Sequence, residues 1–268
     1  MSAALRAEVR KFFSTRLWWI LLVVMMAYLA FIAGVMAFSL TVGGSSTGFA
    51  PSAELGGEET ARTVYSLTSA IGYVFPLVIG SLAFTGEFRH QTITPSLLVE
   101  PRRSVLLGAK LVASVGIGLL YGIAGTAMVV AVGAPILAWQ GDGAYLGTAD
   151  SLELIGLSVI VMMLWAVMGV AFGGLLTNQI AAIVVVLAFT QFVEPIARVA
   201  LGAFESTSGV AQYLPGAAAD AIQGASFYSA MNGSTDLLPQ WAGGLLMLGY
   251  IVVLAALARV VTLRRDIG

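Results

Sequence analysis

The chain has 268 residues, 59% of them hydrophobic and only 10% charged, with 13 Lys and Arg against 14 Asp and Glu. A mean hydropathy of +0.93 excludes a soluble globule, which must cover its core with a polar surface. The absence of cysteine excludes disulfides, thiolate metal sites, iron–sulfur clusters and a cysteine nucleophile, and a net charge of −1 gives nucleic acid no general attraction.

Residues 2–16 read SAALRAEVRKFFSTR, with Leu5, Val9, Phe12 and Phe13 at i, i+4, i+7 and i+8 and charged residues around the rest. This predicts an interfacial amphipathic helix, the other reading being a basic flank with incidental periodicity. Six apolar runs follow, each near the roughly 20 residues needed to cross about 30 Å of hydrocarbon as a helix. They cover 17–38, 63–84, 105–131, 152–176, 180–199 and 242–263. Backbone amides find no partner in lipid except in helices or closed barrels, and the runs lack the alternation of barrel strands, so all six are predicted helices. The expected fold is an all-α membrane protein, a single domain over 1–268. The first run exceeds the length of an ordinary signal-peptide core and is expected to persist.

Orientation is expected from the basic residues. All but Arg62 and Arg198 fall before the first run, between the second and third, or at the end of the chain. An even number of crossings then puts both termini in the cytoplasm, while Glu54, Glu58, Glu59, Asp142, Asp150, Glu205, Asp220 and Asp236 lie outside.

The longest cytoplasmic connection, GEFRHQTITPSLLVEPRRS over 86–104, carries the densest signal. Gly86 is able to end the second helix, Thr94-Pro95 is a cap and first-turn pair, and Pro101 forbids continuation, so 95–100 is a predicted short helix. Its Leu97, Leu98 and Val99 require a cover from the membrane interface or a partner's groove; a solvated connector is the plain alternative. The succession of interfacial helix, first span, outer loop, second span ending in GEFRHQTI, LLVEPRRSVLLGAKL into the third span, LLPQWAG into the last and a final LRRDI resembles the permease subunit of an ABC type-2 exporter of the actinobacterial sort. The resemblance implies a coupling helix in this cytoplasmic loop that seats in a cleft of a separate ATPase. By position Glu87, Phe88, Arg89, His90 and Thr92, with Leu97 and Arg102 beside them, would make that contact. It further implies cytoplasmic ABC ATPase subunits, a second identical or sister permease in a two-plus-two assembly, and the bacterial cytoplasmic membrane as location. Export of a hydrophobic or amphipathic drug, antibiotic, lipid or peptide is the implied activity.

Consistently, neither Lys11 in RKF nor Lys110 in AKL sits in a phosphate-binding loop. The chain is therefore expected to be no enzyme and to hold no cofactor, with ATP and magnesium bound by the partner. The single histidine, His90, cannot build a multi-histidine metal site.

Within the membrane, Leu187, Gln191, Glu194 and Arg198 fall at i, i+4, i+7 and i+11 of the fifth run, with Gln191 about 17 Å and Glu194 about 21 Å from its start. A lone carboxylate there costs on the order of 3 kcal/mol, so Glu194 must face protein or water. It is either a polar point of a translocation path or half of a structural bridge to Arg198 beside a Pro195 kink. In the second run, Tyr65, Thr68, Ser69, Tyr73 and Phe75 precede a kink expected at Pro76. They suit a cavity for apolar molecules or plain packing, and the resemblance implies that the second and fifth spans line the path. Gly118 with Gly122, and Gly169 with Gly173, predict close helix approach without naming the partner. Asp220, in the outer segment 201–240, reads equally as solvated. Two other functions fit the residues alone: a gradient-driven transporter or channel using Glu194, and a membrane anchor without a path.

Overall fold

The computed structural model describes residues 2–42, 57–99, 102–140, 143–202, 205–228 and 237–261, and among these no strand occurs. Helix α1 (Ser2–Ser14) precedes α2 (Leu17–Val42). The second crossing is in pieces: α3 (Gly57–Tyr65), α4 (Leu67–Ala70) and α5 (Val74–Arg89). Helix α6 (Ile93–Val99) leads into α7 (Arg103–Gln140), followed by α8 (Ala149–Gly173). The fifth crossing runs from α9 (Gln179–Ala188) through a π-helical turn (Phe189–Val193) to α10 (Glu194–Gly202). Helices α11 (Glu205–Ala211) and α12 (Pro215–Gln223) precede the last crossing, α13 (Gln240–Val261). Six of these segments are long and apolar enough to cross a membrane, at the places the sequence predicts.

Two prolines explain where the helices depart from simple rods. Pro76 has no N–H to give the Gly72 carbonyl, so the chain turns at 71–73 and restarts at Val74 with Pro76 in the first turn, where the missing donor costs little. The break thus lies before Pro76 rather than at it. Pro195 likewise cannot bond the Gln191 carbonyl, and the turn just before it widens to π geometry. That widening shifts the register. The buried positions of the fifth crossing are Ala182, Val186, Thr190 and Glu194, four residues apart each time, while Leu187 and Gln191 are exposed. The predicted stripe of Leu187, Gln191, Glu194 and Arg198 is therefore split, because it assumed 3.6 residues per turn throughout.

The second and fourth crossings form the centre: 72% and 61% of their most apolar windows are buried, against 17% to 33% for the other four. α8 is packed by α5 on one side and α7 on another, α2 lies on α7, α9 on α5, and α13 on α8 and α12. Glycine makes the closest of these contacts possible. A Cβ on Gly169 or Gly173 would strike the carbonyl oxygens of Leu77 and Ser81 in α5, and one on Gly118 would stand 2.5 Å from the Met163 Cα. The partners left open by the sequence are thus α5 for the Gly169 pair and α8 for the Gly118 pair. All of Gly216 to Gln223 in α12 is buried, and Gly224 closes it at φ 66°, a left-handed cap that glycine adopts without strain.

Gly169→Val forces α5 and α8 apart at the backbone and is expected to cost at least the 1–3 kcal/mol typical of overpacking. Gly156→Val, with no atom within 4 Å of the added carbon, is expected to leave stability unchanged. Thermal unfolding of the two variants in detergent compares them directly.

Candidate functional site

The end of the bundle where α1, α5, α6 and α7 meet carries four interlocked charges. The Lys110 ammonium, 2% exposed, donates to Glu8 Oε2 at 2.7 Å, Glu87 Oε1 at 2.9 Å and the Ala83 carbonyl at 2.9 Å. Lys11 donates to Glu8 Oε1 at 2.8 Å, to the same Glu87 Oε1 at 2.7 Å and to Ser96 Oγ of α6 at 3.0 Å. Two carboxylates and two ammoniums balance. Lys110 also lies 5.1 Å from the centre of the Phe84 ring, a favourable place for a cation. Partial burial alone would lower the Lys11 pKa, but its hydrogen bonds to Glu8 and Glu87 hold it above the ordinary 10.5. Its contribution to stability is therefore complete below about 10.5 and is lost only as pH rises through the raised value.

Helix α6 is fixed to this cluster twice. Besides Ser96, a turn of the Schellman type closes α5: Thr92 N–H donates to the Glu87 carbonyl at 2.9 Å and Gln91 N–H to the Phe88 carbonyl at 3.3 Å, with Gln91 at φ 55°. Helix α5 therefore passes through Gly86, where the sequence allowed an end, and stops three residues later at Arg89. The short helix starts at Ile93, two residues before the prediction, and Ile93 is its buried inner contact. Arg89, His90, Thr92, Thr94 and Pro95 are exposed, and Leu98 is 78% exposed.

Among the residues implied for ATPase contact, Glu87 is buried. At 6% exposure its Oε1 accepts from both lysines, which neutralises Lys110 where it is buried. Phe88 packs with Phe84, Leu107 and Val170, and Arg89 donates to Gln179 Oε1 at 3.3 Å. His90, Thr92 and Arg102 lie on the surface; the side chain of Leu97 lies outside the described part. The sequence missed Glu8, Lys11 and Lys110 as a unit. The available signal was Glu8 amid bases on α1 and a lysine inside an otherwise apolar LGAKLVAS run.

At the opposite end, α10 and α12 share a second cluster. Arg198 Nη1 donates to Asp220 Oδ2 at 2.7 Å and Nη2 to Glu194 Oε1 at 3.3 Å. Glu194 Oε1 also accepts the Gly216 N–H, Ser226 donates to Asp220 at 2.7 Å, and the guanidinium lies 4.7 Å from the Tyr228 ring centre. Glu194 and Asp220 are each 2% exposed. Burial pushes the Tyr228 phenol up in pKa, so it stays neutral. Glu194 Oε2 is buried without a partner. Asp220 is thus an ion-pair partner, and the solvated reading is corrected; its place in alanine-rich AAADAIQ hid that it faces Arg198 across two helices.

The remaining path residues scatter. Tyr73 donates to the Thr190 carbonyl at 3.1 Å and its ring lies 4.3 Å from Trp165, so the turn that leads into α5 meets the π turn. Tyr65 donates to the Ala144 carbonyl at 2.6 Å. Thr68 is fully buried with its hydroxyl unpaired, Phe75 lies 6.1 Å from Tyr28 on α2, and Gln191 is exposed. Only Tyr73 and Glu194 join one small cavity, with Ser69, Arg198, Gly216 and Asp220.

No protein-family model matches the chain, and no curated protein matches it.

Lys110→Met leaves two buried carboxylates with one partly exposed ammonium and is expected to cost about 3–5 kcal/mol, while Lys11→Met, whose side chain is 42% exposed, is expected to cost far less. Thermal unfolding ranks them. Arg198→Met should likewise destabilise the protein, and adding Asp220→Asn should restore part of the loss, since the double variant buries one fewer unpaired charge; additive losses in that cycle would show the pair to be energetically silent.

Proposed function

We propose that the chain is the membrane-embedded permease subunit of an ABC type-2 exporter, carrying hydrophobic or amphipathic molecules out of a bacterial cell with energy from a separate ATPase. The observation that carries this reading is α6: a short helix presenting Leu98 at 78% exposure while its inner side is held to the bundle by Ile93, by Ser96 on Lys11 and by the turn from Glu87. Six apolar helices and the string of sequence resemblances support it.

In this reading the end bearing α1 and α6 faces the cytoplasm, with both termini there. ATP closes two ATPase subunits, which push on α6; the buried charge cluster passes the displacement to α1, α5 and α7 together. A second permease completes the path. ATP acts by binding the two membrane states unequally. The contact surface on this chain is Leu98 with Thr94, Pro95 and His90, and Glu87 is a positioning residue behind it.

A second reading rests on the unpaired Glu194 Oε2, an ion or proton site for a gradient-driven transporter that works without ATP.

The tagged protein purified in mild detergent is expected to bring a stoichiometric companion bearing a GKS or GKT phosphate loop and hydrolysing ATP. Leu98→Asp should weaken that association roughly 30-fold or more, the scale of a central interface residue, with thermal stability unchanged. A protein that purifies alone and transports only under an ion gradient would overturn the exporter reading in favour of the second.

A further inference from the structure

Between the fifth and sixth crossings the bundle is recessed. Helix α9 packs on α5, whereas α13 packs on α8 and α12, and the two leave a cavity of about 260 Å³ between them. That is below the roughly 300–1,000 Å³ of drug-sized sites and suits a slender ligand. Its floor is Leu77, Trp165 and Met168, each at most 5% exposed, and its rim includes Val185 and Val253, 46% and 56% exposed.

The chemistry of the lining is narrow. Its two hydroxyls are already committed, Thr190 to the Val186 carbonyl at 2.8 Å and Tyr250 to the Tyr213 carbonyl at 2.5 Å. The Trp165 indole nitrogen has no partner but is itself enclosed. No lining side chain is charged. A ligand with polar groups in the recess would leave them unsatisfied at a cost of a few kcal/mol each, whereas an empty recess forfeits dispersion contacts along all its walls. The rim belongs to two of the least buried crossings, and a bilayer around the bundle would bring hydrocarbon to it.

We propose that this recess is a binding site for an acyl chain of a membrane lipid, which enters sideways between α9 and α13 and packs among Phe172, Phe189 and Leu254 above Trp165. The site requires membrane insertion only and is independent of any ATPase.

Trp165 makes the test direct. With Trp18, Trp19, Trp139 and Trp241 changed to Phe, it is the sole tryptophan, and it lies enclosed under the recess floor, where bromine in the recess comes nearer to it than bromine on the outer surface. The full chain so altered is reconstituted in phosphatidylcholine with brominated or unbrominated acyl chains. Trp165 fluorescence is expected to fall in the brominated lipid, and Val186→Phe or Leu254→Phe, each filling the recess, should abolish the fall while circular dichroism shows the fold retained. Equal intensity in both lipids, or a fall that persists in both filled variants, would overturn the proposal. Either result leaves the ATPase association untouched, so the two readings fail separately.

Discussion

Lys110 is 2% exposed, and much at one end of the bundle depends on that. An ammonium so buried persists only if carboxylates come to it, and here they come from two distant parts of the chain, Glu8 on α1 and Glu87 on α5. Three helices are thereby fixed around one nitrogen. Lys11 repeats the bridge from the more exposed side and adds α6 through Ser96. A pairwise salt bridge would tie two elements; sharing Glu87 Oε1 between two lysines ties three, and Ser96 on Lys11 adds the fourth.

The other end is governed by a backbone fault. Pro195 interrupts hydrogen bonding one residue after Glu194, and the π turn before it rotates the carboxylate inward, to Gly216 and Arg198. π turns cluster at functional sites, and this one places a buried carboxylate beside a tyrosine hydroxyl and a guanidinium. Helix α12 supplies the missing partner, Asp220, because it lies wholly inside the bundle, its Gly243 contact with α13 so close that a Cβ there would stand 2.6 Å from the Ala218 carbonyl.

The crossings were legible in the sequence because lipid imposes length and apolarity on each of them independently. Glycine pairs were legible as close contacts, but not their partners, since a small residue states what it permits and not what approaches. Glu194 stood out because its cost in hydrocarbon is large; Gln191 was grouped with it only by assuming a regular helix, which Pro195 prevents. Glu87 was marked through resemblance, yet its inward direction depends on Lys110, 23 residues away, and no periodic rule links the two. Asp220 and Glu8 required the fold.

A contiguous chain of contacts joins the two ends. From Glu87 the path follows α5, whose Leu77 and Ser81 backbone lies against Gly169 and Gly173 of α8 with no side chain between, to Tyr73, which holds the Thr190 carbonyl within the π turn. One turn further is Glu194. Packed interfaces of this kind favour discrete registers over smooth tilting. Under the proposed function that discreteness is what a lever requires, because a two-state element is what lets a push at α6 bias the Glu194 cluster instead of dissipating along the helix. The acyl recess lies alongside the same path, with Leu77 and Thr190 in its wall. A step of α5 would therefore change the shape of the recess as well as the setting of the buried carboxylate.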